Sequence, residues 1–388
     1  MSALAVAAVA IVLLVPSVAA GEIPLALPFQ VVQVQGGLDF PVSFAFGADG
    51  EIYVTEKAGV IVEARSGTLA ELVRLPVEDA GEQGLLGLAL EPGFGSGQAF
   101  HLYVFHTFVT PTQERMNRVV RFWLGATPGP VPVNETMEVV FCCIQAGTIH
   151  NGGILEFGGD GTLFVSTGDA GTSAWAQDPN RPEGKVLRIL ANGSVPSDNP
   201  FPGNAVYSYG HRNVFGLAED PETRFLWQTE NGPSQDDEVN RIVAGANYGW
   251  PNVTGVAGRP EFTDPEFVFP SPLPALTQAT FLGGFLYFGA WNSGTVYRAT
   301  LSGDRRSIDR VDAIHRFSGG ITDVEAGPDG RLYVSVVNSP TGDGIFAITG
   351  ETASGGDHWL VYGIAAAAIA ALVLIYVWRR RRLRRERS

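Results

Sequence analysis

Apolar and polar residues alternate with a period of two over short runs along most of this chain, and the runs come in pairs around tight turns. V-S-F-A-F-G-A-D-G-E-I-Y-V, around Asp49, sets the unit. It returns as L-G-L-A-L-E-P-G-F-G-S-G-Q-A-F-H-L-Y-V from Leu86 and as G-I-L-E-F-G-G-D-G-T-L-F-V around Asp160. G-L-A-E-D-P-E-T-R-F-L-W from Gly216, F-L-Y-F-G-A-W-N-S-G-T-V-Y-R-A-T-L from Phe285 and D-V-E-A-G-P-D-G-R-L-Y-V from Asp323 complete the set. A period of two predicts strands with one buried face. Asp-Gly between two such runs is hairpin chemistry, because glycine takes positive φ without a steric cost. Six copies, roughly 35 to 70 residues apart, predict an all-β, six-bladed β-propeller with one copy per blade. A β-sandwich would not need this internal similarity. Longer links near Thr110–Thr112, Trp175–Pro182, Asn192–Gly203 and Gly255–Ala275 are expected at the mouth of the central channel, where propellers carry function.

Two apolar runs stand outside the pattern. Ser2 to Ala20 ends in Val18-Ala19-Ala20 and predicts a signal peptide over 1–20. Trp359–Trp378 has no charge and is long enough to span a bilayer, with Trp and Tyr at both ends. Arg379 to Arg382, Arg384, Arg385 and Arg387 follow at once. The division expected is therefore a propeller at 21–349, a linker at 350–358, a single transmembrane helix at 359–378 and a basic tail at 379–388. Arginines of this kind stay on the cytoplasmic side, which places the propeller outside the cell membrane.

Composition agrees with many short strands: 48 Gly and 25 Pro, with 45% hydrophobic and 17% charged residues. The tail's seven arginines and one glutamate carry +6, so the chain's net −14 leaves −20 on residues 1–378. A domain this acidic repels phosphates, which argues against a nucleic-acid partner. The only cysteines, Cys142 and Cys143, are neighbours. They read as buried strand residues, a vicinal disulfide being conceivable outside the cell.

The candidate chemistry centres on Tyr207 to Pro251, which holds Y-S-Y-G-H-R-N-V-F-G-L-A and N-G-P-S-Q-D-D-E-V-N-R-I-V-A-G-A-N-Y-G-W-P. Asp236, Asp237 and Glu238 follow a Gly-Pro turn whose carbonyls are free to face outward. Carbonyls and carboxylates are the hard ligands calcium prefers, although an acidic loop is as often merely solvated. His150 opens I-H-N-G-G, and Asp169 ends the next hairpin in S-T-G-D. A carboxylate that fixes an imidazole tautomer makes a general base, although polar loop residues often only cap turns.

Together the G-H-R-N, N-G-P-S-x-D-D-E-V-N and N-Y-G-W-P-N-V strings resemble the soluble quinoprotein glucose dehydrogenase and aldose sugar dehydrogenase family, the glucose/sorbosone dehydrogenases. The likeness extends over roughly Gly36 to Thr349. It implies a six-bladed propeller using pyrroloquinoline quinone and calcium, with a sugar substrate and an electron acceptor that the sequence does not name. Carried over residue by residue, it makes His150 the base, Asp169 its orienting partner and Arg212 the stabiliser of developing charge. Arg212, Asn213 and Gln83 would contact the quinone. The carbonyls of Gly232 and Pro233 would hold its calcium, and Glu238 with the Tyr248 carbonyl a second one.

The chain also departs from the family. The family's quinone-contacting glutamine falls on Glu82, with Gln83 next door. Its lysine falls on Asn292, its two arginines on Gly320 and Thr322, and a further metal carboxylate on Gly258. The quinone is a tricarboxylate, and burying such an anion without cations is costly. Only Lys57 and Lys185 exist as lysines, neither an obvious substitute from its place in the sequence, and Arg316 is a further candidate. An alternative therefore stands beside the enzyme: a non-catalytic, calcium-stabilised propeller that binds a carbohydrate or protein ligand.

Overall fold

A computed structural model describes residues 29–95, 101–124 and 136–349. The expected signal peptide, linker, membrane helix and basic tail lie outside the described residues. Among those described, no helix is long and apolar enough to cross a membrane.

Six antiparallel sheets of four strands each form the predicted propeller. The first blade runs β2 (Pro41–Phe46), β3 (Ile52–Glu56), β4 (Val60–Arg65) and β5 (Thr68–Arg74). The second runs β6 (Leu85–Leu90), β7 (His101–Val109), β8 (Arg115–Trp123) and β9 (Met137–Gln145). The third holds β10 (Gly152–Phe157), β11 (Thr162–Thr167), β12 (Lys185–Leu190) and β13 (Val206–Tyr209). The fourth holds β14 (Val214–Glu219), β15 (Leu226–Glu230), β16 (Asp237–Ile242) and β17 (Phe267–Phe269). The fifth holds β18 (Leu276–Leu282), β19 (Phe285–Ala290), β20 (Thr295–Leu301) and β21 (Ile308–Arg316). The last is composite. β22 (Gly320–Ala326), β23 (Leu332–Val337) and β24 (Gly344–Thr349) are completed by the N-terminal β1 (Gln30–Gly36), which pairs antiparallel with β24.

The first strand of each blade faces the axis, and these strands pack in a ring from β2 through β6, β10, β14, β18 and β22 back to β2. The apolar core lies between blades. One cluster unites Tyr103, Phe105 and Ile144 of the second blade with Leu163 and Leu187 of the third. Another joins Trp227 and Val239 of the fourth to Phe288 and Tyr297 of the fifth. A blade cannot bury its faces alone, so closure of the ring is what completes each core.

Five of the six sequence copies fall on a blade's first hairpin. The Phe285 copy falls one strand later, on β19–β20, and the fifth blade's first hairpin turns instead at Gly283-Gly284. Every first strand runs away from the end where His150 lies, so the Asp-Gly turns sit at the opposite end. Asn192–Gly203 is there too: Asp198 shares Arg188 with Asp160 of an Asp-Gly turn. That link is not at the mouth, as its length had suggested. Cys142 and Cys143 lie on β9, an outermost strand, which exposes them rather than burying them, and they are bonded to each other.

Candidate functional site

His150 sits in the link that drops from β9 into β10, at φ 58°. Gly152 follows at φ 62°, where an added Cβ would lie 2.8 Å from the Thr167 backbone. The bend therefore needs glycine, and it brings His150 against the end of β11, where Asp169 begins the next loop. His150 Nδ1 lies 2.7 Å from Asp169 Oδ1. The same oxygen accepts the Gly171 N–H at 2.8 Å, and Oδ2 accepts Trp250 Nε1–H at 2.8 Å. Burial pushes the Asp169 carboxyl up, but the bonds from His150 and Trp250 outweigh it and leave the group below its ordinary value. An ionised carboxylate holds the proton on Nδ1 and leaves Nε2 as the basic nitrogen.

Arg212 and Asn213 enter from the link before β14. The buried carboxylate of Glu230 gathers this turn: it takes His211 Nδ1 at 2.9 Å, Gln228 Nε2 at 2.6 Å and the Arg212 N–H. His211 stacks on Tyr248 with centroids 4.7 Å apart, which makes it a structural residue. Arg212 Nη1 donates to the Asn231 carbonyl at 3.0 Å, and its guanidinium lies over Trp250. Asn213 turns both ends of its amide inward. Oδ1 accepts the Gly152 N–H at 3.1 Å, and Nδ2 donates to Glu82 Oε2 at 3.1 Å. Its observed bonds position the His150 loop.

The four expected metal residues come together. Gly232, Pro233, Glu238 and Tyr248 line one small cavity with Arg212 and Asp236. Its volume is about 10 Å³, close to the space one water or ion needs. Burial, and then the neighbouring Glu230 carboxylate, push the Glu238 carboxyl above its ordinary value. Its oxygens accept Gly255 N–H at 2.7 Å and Asn240 Nδ2–H at 3.1 Å. Among the described residues, no three His, Cys, Asp or Glu side chains form a metal-holding group. A cation here would rest largely on carbonyls. Near Gly258, where a carboxylate was missing, Asp264 instead caps the N–H groups of Ala257 and Gly258.

A larger cavity of about 290 Å³ lies on the axis, lined by Phe40, Lys57, Glu82, Phe215, Trp291 and Thr322 among others. His150 and Arg212 stand one residue behind this lining. His150 N–H donates to Glu82 Oε2 at 2.7 Å, and Arg212 donates to the carbonyl of Asn231, another lining residue. Gln83, expected at the quinone, is fully buried with neither end of its amide bonded, and Glu82 forms the wall instead.

The anion clamp is absent, for reasons the packing supplies. Asn292 donates to the Leu273 carbonyl at 3.3 Å, and Thr322 donates to the Pro41 carbonyl at 2.9 Å. A Cβ on Gly320 would lie 2.8 Å from the Trp291 ring, so the indole occupies the space a side chain there would need. Arg316 ends the outer strand β21 and donates to Thr295. Lys57, however, lines the cavity, its Nζ 5.9 Å from the Phe40 ring centroid and donating to the Asp79 carbonyl. Lys57, Glu82, Trp250 and Trp291 were not assigned site roles from the sequence. The placement of Lys57 after β3, in E-K-A-G at a blade's mouth end, is the one local signal that could have found it.

The profile of the family described as glucose / sorbosone dehydrogenase matches residues 38–343. Quinoprotein glucose dehydrogenase B of Acinetobacter calcoaceticus is 33% identical over 258 residues, covering 58% of this chain and 53% of that protein. The aldose sugar dehydrogenase YliI of Escherichia coli is 30% identical over 334 residues, 79% of this chain and 89% of its own. Among solved structures, the PQQ-bound aldose sugar dehydrogenase of Streptomyces coelicolor superposes with a TM-score of 0.74 at 30% identity. It covers 84% of this chain and 99% of its own.

Proposed function

As a member of the glucose/sorbosone dehydrogenase family, this chain is a sugar dehydrogenase-like protein, and we propose that it oxidises an aldose by hydride transfer to pyrroloquinoline quinone assisted by calcium. The observation that carries this reading is the His150–Asp169–Trp250 relay, held beside an axial cavity and next to an ion-sized pocket. The residues fit such a pair of groups in part. The small cavity offers Gly232, Pro233 and Glu238 to calcium, and the aromatic wall of Phe40 and Trp291 offers a flat face to a ring system. Only the carboxylates lack their familiar partners.

When bound, the quinone would supply the hydride acceptor and calcium its electrophilic activation. The chain supplies the rest. His150 Nε2 takes the proton of the sugar's anomeric hydroxyl. Asp169 holds Nδ1–H and stabilises the imidazolium that results, while Trp250 keeps the carboxylate in place. Arg212 brings positive charge close to the centre where negative charge develops. Leu86, Ile154 and Phe215 keep the cavity apolar. The segments at 1–20 and 359–378 are proposed to export the domain and anchor it by one crossing, with the propeller outside.

The test is direct: the full chain, supplied with calcium and the quinone, is assayed against a panel of aldoses with an artificial electron acceptor. Aldose-dependent reduction is expected. No turnover with any aldose at saturating quinone would favour the non-catalytic binding propeller, which the uncharged Asn292, Gly320 and Thr322 also support.

A further inference from the structure

We propose that Lys57 is the cation that holds the carboxylates of the axial ligand, in place of the charges that Asn292, Gly320 and Thr322 do not supply. This rests on the quinone reading above and goes beyond it, because it assigns anion recognition to the first blade. Trp291 lies against Gly320 so closely that an added Cβ would sit 2.8 Å from its ring, and Phe40 stands beside it with ring centroids 5.9 Å apart. The cavity's wall on this side is therefore aromatic. It favours a flat ring by stacking but gives nothing to a carboxylate.

Two charged side chains face the space, Lys57 and Glu82. Glu82 repels an anion, and its Oε2 is already taken by His150 N–H and Asn213 Nδ2. Arg212 is turned to the Asn231 carbonyl and the small cavity. Among the described residues, Lys57 alone lines the cavity with positive charge. An ammonium has three donors, and one is spent on the Asp79 carbonyl. Two remain for a ligand, on a four-carbon stem that can swing. Phe40 lies under the same ammonium, so ring and cation sit side by side, as a planar tricarboxylate requires.

The experiment titrates the calcium-loaded full chain with pyrroloquinoline quinone and follows ligand absorbance, with no sugar present. Lys57→Gln should raise Kd by roughly ten- to a hundredfold, the loss of a charge-assisted hydrogen bond. It should also flatten the salt dependence of Kd, since one screened ionic contact is gone. Lys57→Arg should stay within a few-fold of the parent, and an unchanged melting temperature in both variants shows that the loop at Asp79 has held. If the parent binds and Lys57→Gln binds equally well with the same salt slope, this inference fails while the quinone reading stands. If the parent binds no quinone at all, the quinone reading fails and this inference with it.

Discussion

The two sides of the channel mouth are built on different terms. On the third and fourth blades, polar groups hold one another. Asp169 spans His150 and Trp250, Glu230 gathers His211 and Arg212, and Asn213 ties Gly152 to Glu82. Asp237 extends the same logic by accepting the N–H groups of Gly232 and Ala275 at 2.9 and 2.7 Å. On the fifth and sixth blades the wall is an indole over a glycine, with Asn292 and Thr322 bonded to backbone carbonyls. The first side is preorganised by these bonds before any ligand arrives. The second is a surface whose affinity is decided by what it can stack and by one lysine from the next blade round. A general base needs fixed geometry, whereas a ligand's charge can be met from any blade that reaches the axis.

The largest effect should come from the preorganised side. His150→Ala is expected to lower kcat for aldose oxidation by roughly a hundred- to ten-thousandfold, with the fold retained and a stability cost of only about 1 kcal/mol for the lost Asp169 bond. A variant that keeps most of its rate would break the contrast at its centre. Removing calcium with a chelator comes next. Native-only binding at a hundredfold excess over Kd adds about 2.7 kcal/mol, so the melting temperature should fall by several degrees. An identical curve in chelator would mean that the ion-sized cavity by Glu238 holds no stabilising cation.

On the second side, Asn292→Lys with Thr322→Arg should tighten quinone binding roughly ten- to a hundredfold, read from the same absorbance titration. Gly320→Arg should not, because Trp291 occupies its space. The smallest effect belongs to Trp250→Phe, at about 1 kcal/mol of stability near neutral pH. Asp169 is held below its ordinary value, so the stability it contributes is present above the unfolded carboxylate's range and lost as pH falls through the folded one. The Trp250→Phe deficit should therefore shrink toward zero in acid. A deficit independent of pH would reduce Trp250 to packing alone.

The fold could be read because alternation around a tight turn is a local signal repeated in every blade, sharpened by Asp-Gly in three of them. Even the misplaced fifth copy is a local event, a slip of one strand past the Gly283-Gly284 turn. His150 and Asp169 were legible for the same reason: each abuts a strand in one blade, and they lie 19 residues apart. Lys57 and Trp291 were not. They belong to the first and fifth blades, and nothing in a linear string says which loops converge across an axis. Gly320 shows the same limit, since its missing arginine reads as a loss until the indole beside it is seen.

The closure of the sixth blade has a consequence for how the molecule is presented. Gln30 pairs in register with Thr349, so the chain enters and leaves the propeller at one point on its circumference. That point lies at the Asp-Gly end, away from His150. A tether on either flanking segment would hold the disc by its back, leaving the opening turned toward the medium that brings the sugar.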